Sequence, residues 1–297
     1  MTPNEYLAEV LNQQTFSSDA VEMKDLRRRR DEIKSLLEGH FSESKPSIRW
    51  AGSMAKGTMI KASYDGDMTC YFDTQSEDEA AGSLKTIYDE VEAALAEHYS
   101  VERKTSALRV RDKNDWNSDF HIDVVPGRYI DVDCDDVFLY QAYGEKSRLK
   151  TNLQVHIDHI RDSGVRAAIR LMKYWRTLNG IGSAKTFVLE LLVVKILSGM
   201  ENASLESQLT HVLEQSRDNS GNLAVEDPAN SNNDLKPALD QCRGILSTAA
   251  NDTLWQIDNN GWEAVFGSLE GTNGNEKSRA LKATISSTSG RTRPWSN

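Results

Sequence analysis

Cysteine is scarce and odd in number: Cys70, Cys134 and Cys242 stand far apart among 297 residues. That pattern excludes a disulfide framework and a cysteine-based zinc site. Long apolar runs are missing too. The most apolar stretch, 187–197, is interrupted by Glu190 and Lys195, so it reads as a buried helix and not as a membrane span. A mean hydropathy of −0.56 agrees. The opening MTPNEYLAEV lacks the basic flank and apolar run of a secretory signal. These absences set the expectation of a reducing, cytoplasmic location with no membrane attachment. Positive charge is in deficit as well, with 35 Lys and Arg against 45 Asp and Glu and a formal charge of −10. Such a balance argues against a protein that coats long nucleic acid, while focused phosphate binding stays open.

What is present suffices for a real core in one large or two interleaved domains. No internal repeat interrupts the chain, but its character changes near residue 150. Before that point short strand-like runs dominate, at 47–51, 67–72, 101–111, 119–126 and 129–140. They are joined by helical spacing at 23–37 and 84–98 and by a Gly-rich helix start at 52–60. Gly39 stands where the first of these helices would end, and that helix is expected to span both halves of the molecule. After residue 150, apolar positions recur with helical period at 155–160, 165–177, 186–198 and 235–249. Residues 180–182 and 219–233 read as loops. The expected fold class is α+β in two lobes: a mixed sheet lobe over 1–150, a helical lobe over 151–270, and a polar, loosely ordered tail over 271–297. Arg27 to Arg30 tempt a nucleic-acid reading, yet at about 100° per residue they spread around a helix and read as a solvated face.

The most informative segment is AGSMAKGTMIKASYDGDMTCYF, residues 51–72. On an extended chain Asp65 and Asp67 point to the same side, and two carboxylates that close call for a cation. A strand that ends in Gly52-Ser53 and turns into a helix lets backbone and hydroxyl approach a phosphate. The run DFHIDVVP supplies a third carboxylate. In an extended chain His121, Asp123 and Val125 face one way while Phe120, Ile122 and Val124 face the other. Asp123, flanked by apolar residues, is an expensive place for a charge unless it is paired or metal-bound. Asp119 is the weaker candidate.

Gly52-Ser53, then Lys56-Gly57-Thr58, Asp65-x-Asp67 and the distant Ile122-Asp123-Val124-Val125-Pro126 resemble the signature of the polymerase-β-type nucleotidyltransferases. The Lys-Gly-Thr extension and the Val-Val-Pro resemble in particular the branch of oligoadenylate synthases, cyclic GMP-AMP synthase and the bacterial CD-NTases of anti-phage signalling. Arg170-Leu171-Met172-Lys173-Tyr174-Trp175 and Thr186-Phe187-Val188-Leu189-Glu190-Leu191-Leu192 resemble that branch's second half. So do Asp227-Pro228-Ala229-Asn230 and Trp262 with Val265-Phe266-Gly267. The resemblance implies a two-lobed cleft in which Asp65, Asp67 and Asp123 are catalytic and hold two Mg²⁺ ions, with Mn²⁺ as a substitute. It implies that Gly52 and Ser53 hold the donor's phosphates, that Lys173 reaches them from the helical lobe, and that Thr186 replaces the family's serine. Phe187 is the candidate for stacking on a base. The implied substrates are nucleoside triphosphates, the implied product is a cyclic or linear oligonucleotide messenger, and the implied partner is an effector that responds to it.

Several of these residues also have plainer readings. Lys173 fits a surface lysine beside a stripe of Ile169, Met172 and Trp175, and Lys56 fits either a solvated turn or a phosphate contact. Thr186 fits the N-cap of the helix that follows. His121 reads as a packed histidine or as a partner of Asp123, and Glu190 as a structural carboxylate. His156 and His159 have helical spacing for a metal pair but no third ligand. Two other functions stay open: nucleotidyl transfer to a tRNA end or a small molecule, and a catalytically inactive nucleotide-binding module. A broad double-stranded RNA surface is disfavoured by the net charge.

Overall fold

The computed structural model describes residues 1–73, 83–114 and 120–269. Asp119 and the expected tail at 271–297 lie outside the described residues.

Strand-forming sequence in the first half assembles one mixed sheet. Its strands are β1 (Ser47–Trp50), β2 (Gly66–Phe72), β3 (Tyr99–Arg103), β4 (Leu108–Asp112), β5 (Ile122–Tyr129), β6 (Val137–Tyr140) and β7 (Arg148–Thr151). The order is β1-β2-β5-β4-β3, with β6 on the far end of β5 and β7 beyond it. Among the described strands only β2 and β5 run parallel; the other neighbours are antiparallel. Alternation decides which side chains go where. Met68, Cys70, Phe72, Leu108, Val110, Ile122 and Val124 turn to one face and form a core with α2 (Val21–His40) and α4 (Leu84–Ala96). Asp67 and Asp123 are thereby left on the opposite face.

The expected helix at 23–37 runs further at both ends. Gly39 lies inside α2, and His40 is its last residue. Met23, Leu26, Ile33 and Leu37 are all buried in the sheet core, so α2 belongs to that core and does not bridge the two halves. The segment that does cross is α1 (Pro3–Gln13), for which no expectation existed. Thr2 caps it in a complete capping box with Glu5, and Pro3 occupies the first turn. Tyr6, Leu7 and Val10 enter the core of the helical half, where the Tyr6 hydroxyl donates to the Gly267 carbonyl at 2.5 Å.

That second core is built by α5 (Leu153–Arg161), α6 (Arg166–Leu178), α7 (Thr186–Ile196), α8 (Leu205–Asp218), α9 (Lys236–Asn260) and α10 (Glu263–Phe266). Trp175 is fully buried there and donates its indole N–H to the Thr253 hydroxyl at 2.8 Å, which satisfies the one polar atom of a large side chain. Helix α8 was not expected, although Leu205, Leu209, Val212 and Leu213 carry its period and Ser204 caps it. Helix α9 extends past the expected end at residue 249 to Asn260, where Gly261 takes a φ of +73°.

Candidate active site

The site is built where β2 and β5 begin side by side. In their parallel register Asp67 is the partner of Asp123. Registered partners project to the same face, so the two carboxylates stand on neighbouring strands above the sheet. Asp65 precedes β2, and its side chain is half exposed. His121, buried just before β5, lies between the acids: Nδ1 is 3.4 Å from Asp65 Oδ1, and Nε2 is 3.9 Å from Asp123 Oδ1.

The turn after β1 closes over this end. The Ala51 amide donates to the Asp67 carbonyl at 2.8 Å, which brings α3 (Gly52–Lys56) directly onto β2. Gly52 has a φ of +54°, and a β-carbon placed on it would fall 1.8 Å from Oδ2 of Asp67. Glycine is therefore required twice, by the left-handed backbone and by the close approach of the carboxylate. Ser53 follows at the mouth of the turn, half buried, and its carbonyl accepts the Thr58 amide at 2.9 Å.

Burial is the largest influence on Asp67, followed by the charges of Asp123 and Asp65. Together they push its pKa up to about 6 against the pull of Lys56 and Lys173. A carboxylate so placed is short of positive charge, which suits it to a hard divalent cation. Asp123 is placed differently. Arg109 on β4, its antiparallel register partner, grips it side-on, with Nε to Oδ1 and Nη2 to Oδ2 both at 2.9 Å. Among the described residues no three acid, His or Cys side chains converge closely enough to hold a metal. The strands thus bring the expected triad to one sheet end, while its third carboxylate is drawn towards Arg109.

The remaining expected residues meet behind Asp67. Glu190 on α7 is fully buried and receives the ammonium of Lys56 on Oε2 and the Thr58 hydroxyl on Oε1 at 2.6 Å. Lys173 on α6 is buried as well. It donates to the Thr58 carbonyl at 2.8 Å and lies 3.6 Å from Glu190 Oε1. It is therefore no surface lysine. Burial draws its pKa below the ordinary lysine value. Burial would raise that of Glu190, but Lys56 and Lys173 hold it below the usual carboxylate range. Phe187 packs its ring against His156, with centroids 4.9 Å apart, and lies 5.7 Å from the Lys56 ammonium. Thr186 is the first residue of α7, so the N-cap expectation fails; Lys185 holds that position, without a side-chain capping bond. His156 pairs with Asp227 at 2.6 Å, which accounts for it without a metal.

No family model matches the chain. The cyclic AMP-AMP-AMP synthase of Escherichia coli is 27% identical to it over 196 residues, a match that spans 60% of this chain and 59% of that protein. The CD-NTase CdnG of Bradyrhizobium diazoefficiens in complex with GTP superposes with a TM-score of 0.67 at 14% identity, covering 96% of this chain and 99% of that one. The CdnC:HORMA-deltaN complex of E. coli gives a TM-score of 0.62 at 22% identity over 89% and 97%. The chain shares its fold with these CD-NTases.

On this shared fold two parts of the site were not read from the sequence. Arg109 had a signal: in Leu108-Arg109-Val110-Arg111 the alternation puts both arginines on the polar face of a strand. Thr58 stood in the Lys56-Gly57-Thr58 motif without a role, because its hydroxyl serves a carboxylate 132 residues further on.

Proposed function

We propose that this CD-NTase-fold chain is a nucleotidyltransferase that joins nucleoside triphosphates into a cyclic or linear oligonucleotide and releases pyrophosphate. The observation that carries this reading is the Gly52 turn lying against Asp67, with Asp65 and Asp123 at the same sheet end. Asp67 fits as a ligand for Mg²⁺ or Mn²⁺, because a buried carboxylate whose proton affinity is raised by neighbouring carboxylates gains most from a cation, and Asp65, half exposed two residues before it, fits as a second. Asp123 completes the set once it is turned from Arg109. When bound, two such ions supply a lowered pKa for the attacking ribose hydroxyl and neutralise charge on the α-phosphate and the leaving pyrophosphate.

The chain's own residues do the positioning. Gly52 and Ser53 offer backbone and hydroxyl to the donor's phosphates. Lys56 and Lys173 act from behind that turn: two ammonium groups against the single carboxylate of Glu190 leave one positive charge in a dry interior beside the phosphates. Thr186 and Phe187, at the start of α7, line the neighbouring wall, with Phe187 the surface for a base. Free nucleotides suit an acidic chain better than a long nucleic acid does. The product is a diffusible messenger, in keeping with an effector partner and with the anti-phage signalling that the sequence resembles.

The deciding experiment is incubation with an equimolar mixture of nucleoside triphosphates and Mg²⁺, followed by phosphatase treatment and mass spectrometry. A phosphatase-resistant oligonucleotide is expected, and it should vanish in Asp65→Asn and Asp67→Asn. Transfer of a nucleotide to tRNA or to a small acceptor, with no nucleotide oligomer, would overturn the reading.

A further inference from the structure

Four charged positions form a continuous row across the sheet. Asp67 on β2 registers with Asp123 on β5, Asp123 with Arg109 on β4, and Arg109 with Glu102 on β3. All four side chains therefore project to one face, the face away from α2 and α4. Glu102 is already engaged, its carboxylate accepting Lys104 at 2.5 Å and Arg111 at 3.1 Å. Arg109 turns instead to the catalytic side and engages both oxygens of Asp123. Both groups are largely covered, at 25% and 18% side-chain exposure, so the pair is shielded from water and salt.

Approaching from β4, the guanidinium occupies both oxygens of Asp123, the atoms that a divalent cation held by this residue would need. We propose that Arg109 is a positioning residue that competes with the cation for Asp123, so that completing the metal site and releasing Arg109 are one coupled event. The proposal rests on the reading of Asp65, Asp67 and Asp123 as metal ligands. It assigns Arg109 a restraining role: the site stays open at its third ligand until cation and nucleotide together outweigh two charge-assisted hydrogen bonds. The alternative geometry is cooperative. A carboxylate has lone pairs to spare, and an arginine can steady it while a metal binds the remaining ones. The two arrangements predict opposite signs when Arg109 is removed.

The test is titration of the full chain with Mn²⁺ alone, without nucleotide, by calorimetry and by the electron paramagnetic resonance signal of free Mn²⁺. Arg109→Gln is expected to bind Mn²⁺ about tenfold more tightly than wild type. Arg109→Lys, a point charge without the side-on fork, should fall between them. In the Asp123→Asn background the gain from Arg109→Gln should disappear, which ties it to this pair. Unchanged or weaker Mn²⁺ binding in both Arg109 variants would overturn the competition while leaving the metal assignment intact. Mn²⁺ binding insensitive to Asp65→Asn and Asp67→Asn would remove the metal assignment itself, and this inference with it.

Discussion

Lys56 and Glu190, 134 residues apart in sequence, meet as a buried ion pair behind the Gly52-Ser53 turn. Lys56 ends α3, and Glu190 lies in the middle of α7, so the pair fastens the turn to the helical half. Thr58 and Lys173 complete the fastening from either side. The position of the turn over Asp67 is therefore set by the second half of the chain as much as by the strand that precedes it.

Replacing Glu190 with Gln should leave two buried ammonium groups without their shared counter-charge. The expected cost is about 3 kcal/mol in urea unfolding, since breaking a buried pair from one side strands the other charge. Lys56→Met, which still leaves Glu190 with Lys173 and Thr58, should cost less. Equal losses in the two variants would contradict the shared role.

Alanine at Gly52 should be costly out of proportion to its size. The left-handed backbone alone charges an L-residue about 1–2 kcal/mol, and the added carbon displaces the Asp67 carboxylate. A fall of about 100-fold or more in pyrophosphate release is expected, with little change in the circular dichroism spectrum. Near-normal turnover would show that Asp67 need not stay where it is.

The raised pKa of Asp67 has a definite sign in stability. An unfolded aspartate titrates near pH 4, whereas the folded one titrates at about 6. Between those values the folded state keeps a proton that the unfolded state gives up, so stability from this group falls as pH rises through the window and is level above it. The full difference is ~3 kcal/mol. In chelator, Asp67→Asn should melt higher than wild type at pH 7, with the advantage shrinking towards pH 5. Adding Mg²⁺ at pH 7 should recover stability in wild type and less in the variant. Parallel melting profiles for the two proteins in calorimetry would refute this.

Asp227 anchors the loop after α8. It pairs with His156, accepts from Asn233 at 2.7 Å and takes the Ala229 amide at 2.9 Å. Burial opposes its charge, but these partners win and hold its pKa below the usual value. Its contribution is present above the unfolded value near 4 and is lost as pH falls through the lower folded one. Asp227→Ala should cost about 2 kcal/mol at pH 7. Because His156 backs Phe187, it should also raise the KM for nucleotide more than it lowers kcat. A change in kcat alone would separate this loop from the nucleotide pocket.

Much of the sheet half was legible because strand period and carboxylate spacing are local. Residues two apart on an extended chain must share a face, and Asp123 among apolar neighbours announces itself as a charge needing company. The placement of α1 was not legible in practice, although its Thr2-Pro3-x-Glu5 box is a plain helix start. A cap says where a helix begins and nothing about which core receives its apolar side. Lys173 shows the same limit. Its sequence fits an exposed lysine, yet α6 turns it inwards against Thr58 and Glu190 from two other elements.

By itself, then, the sequence determined the chemistry on offer: acidic side chains at a strand start, a Gly-Ser turn leading into a helix, and a buried helix with one glutamate. It did so because backbone conformation and side-chain alternation depend on neighbours within a few residues. Only the tertiary structure decided which charge each acid faces. Asp123 meets Arg109, and Glu190 meets Lys56, because strand register and the docking of α7 join positions tens to hundreds of residues apart. A buried charge takes whatever partner that geometry brings within reach.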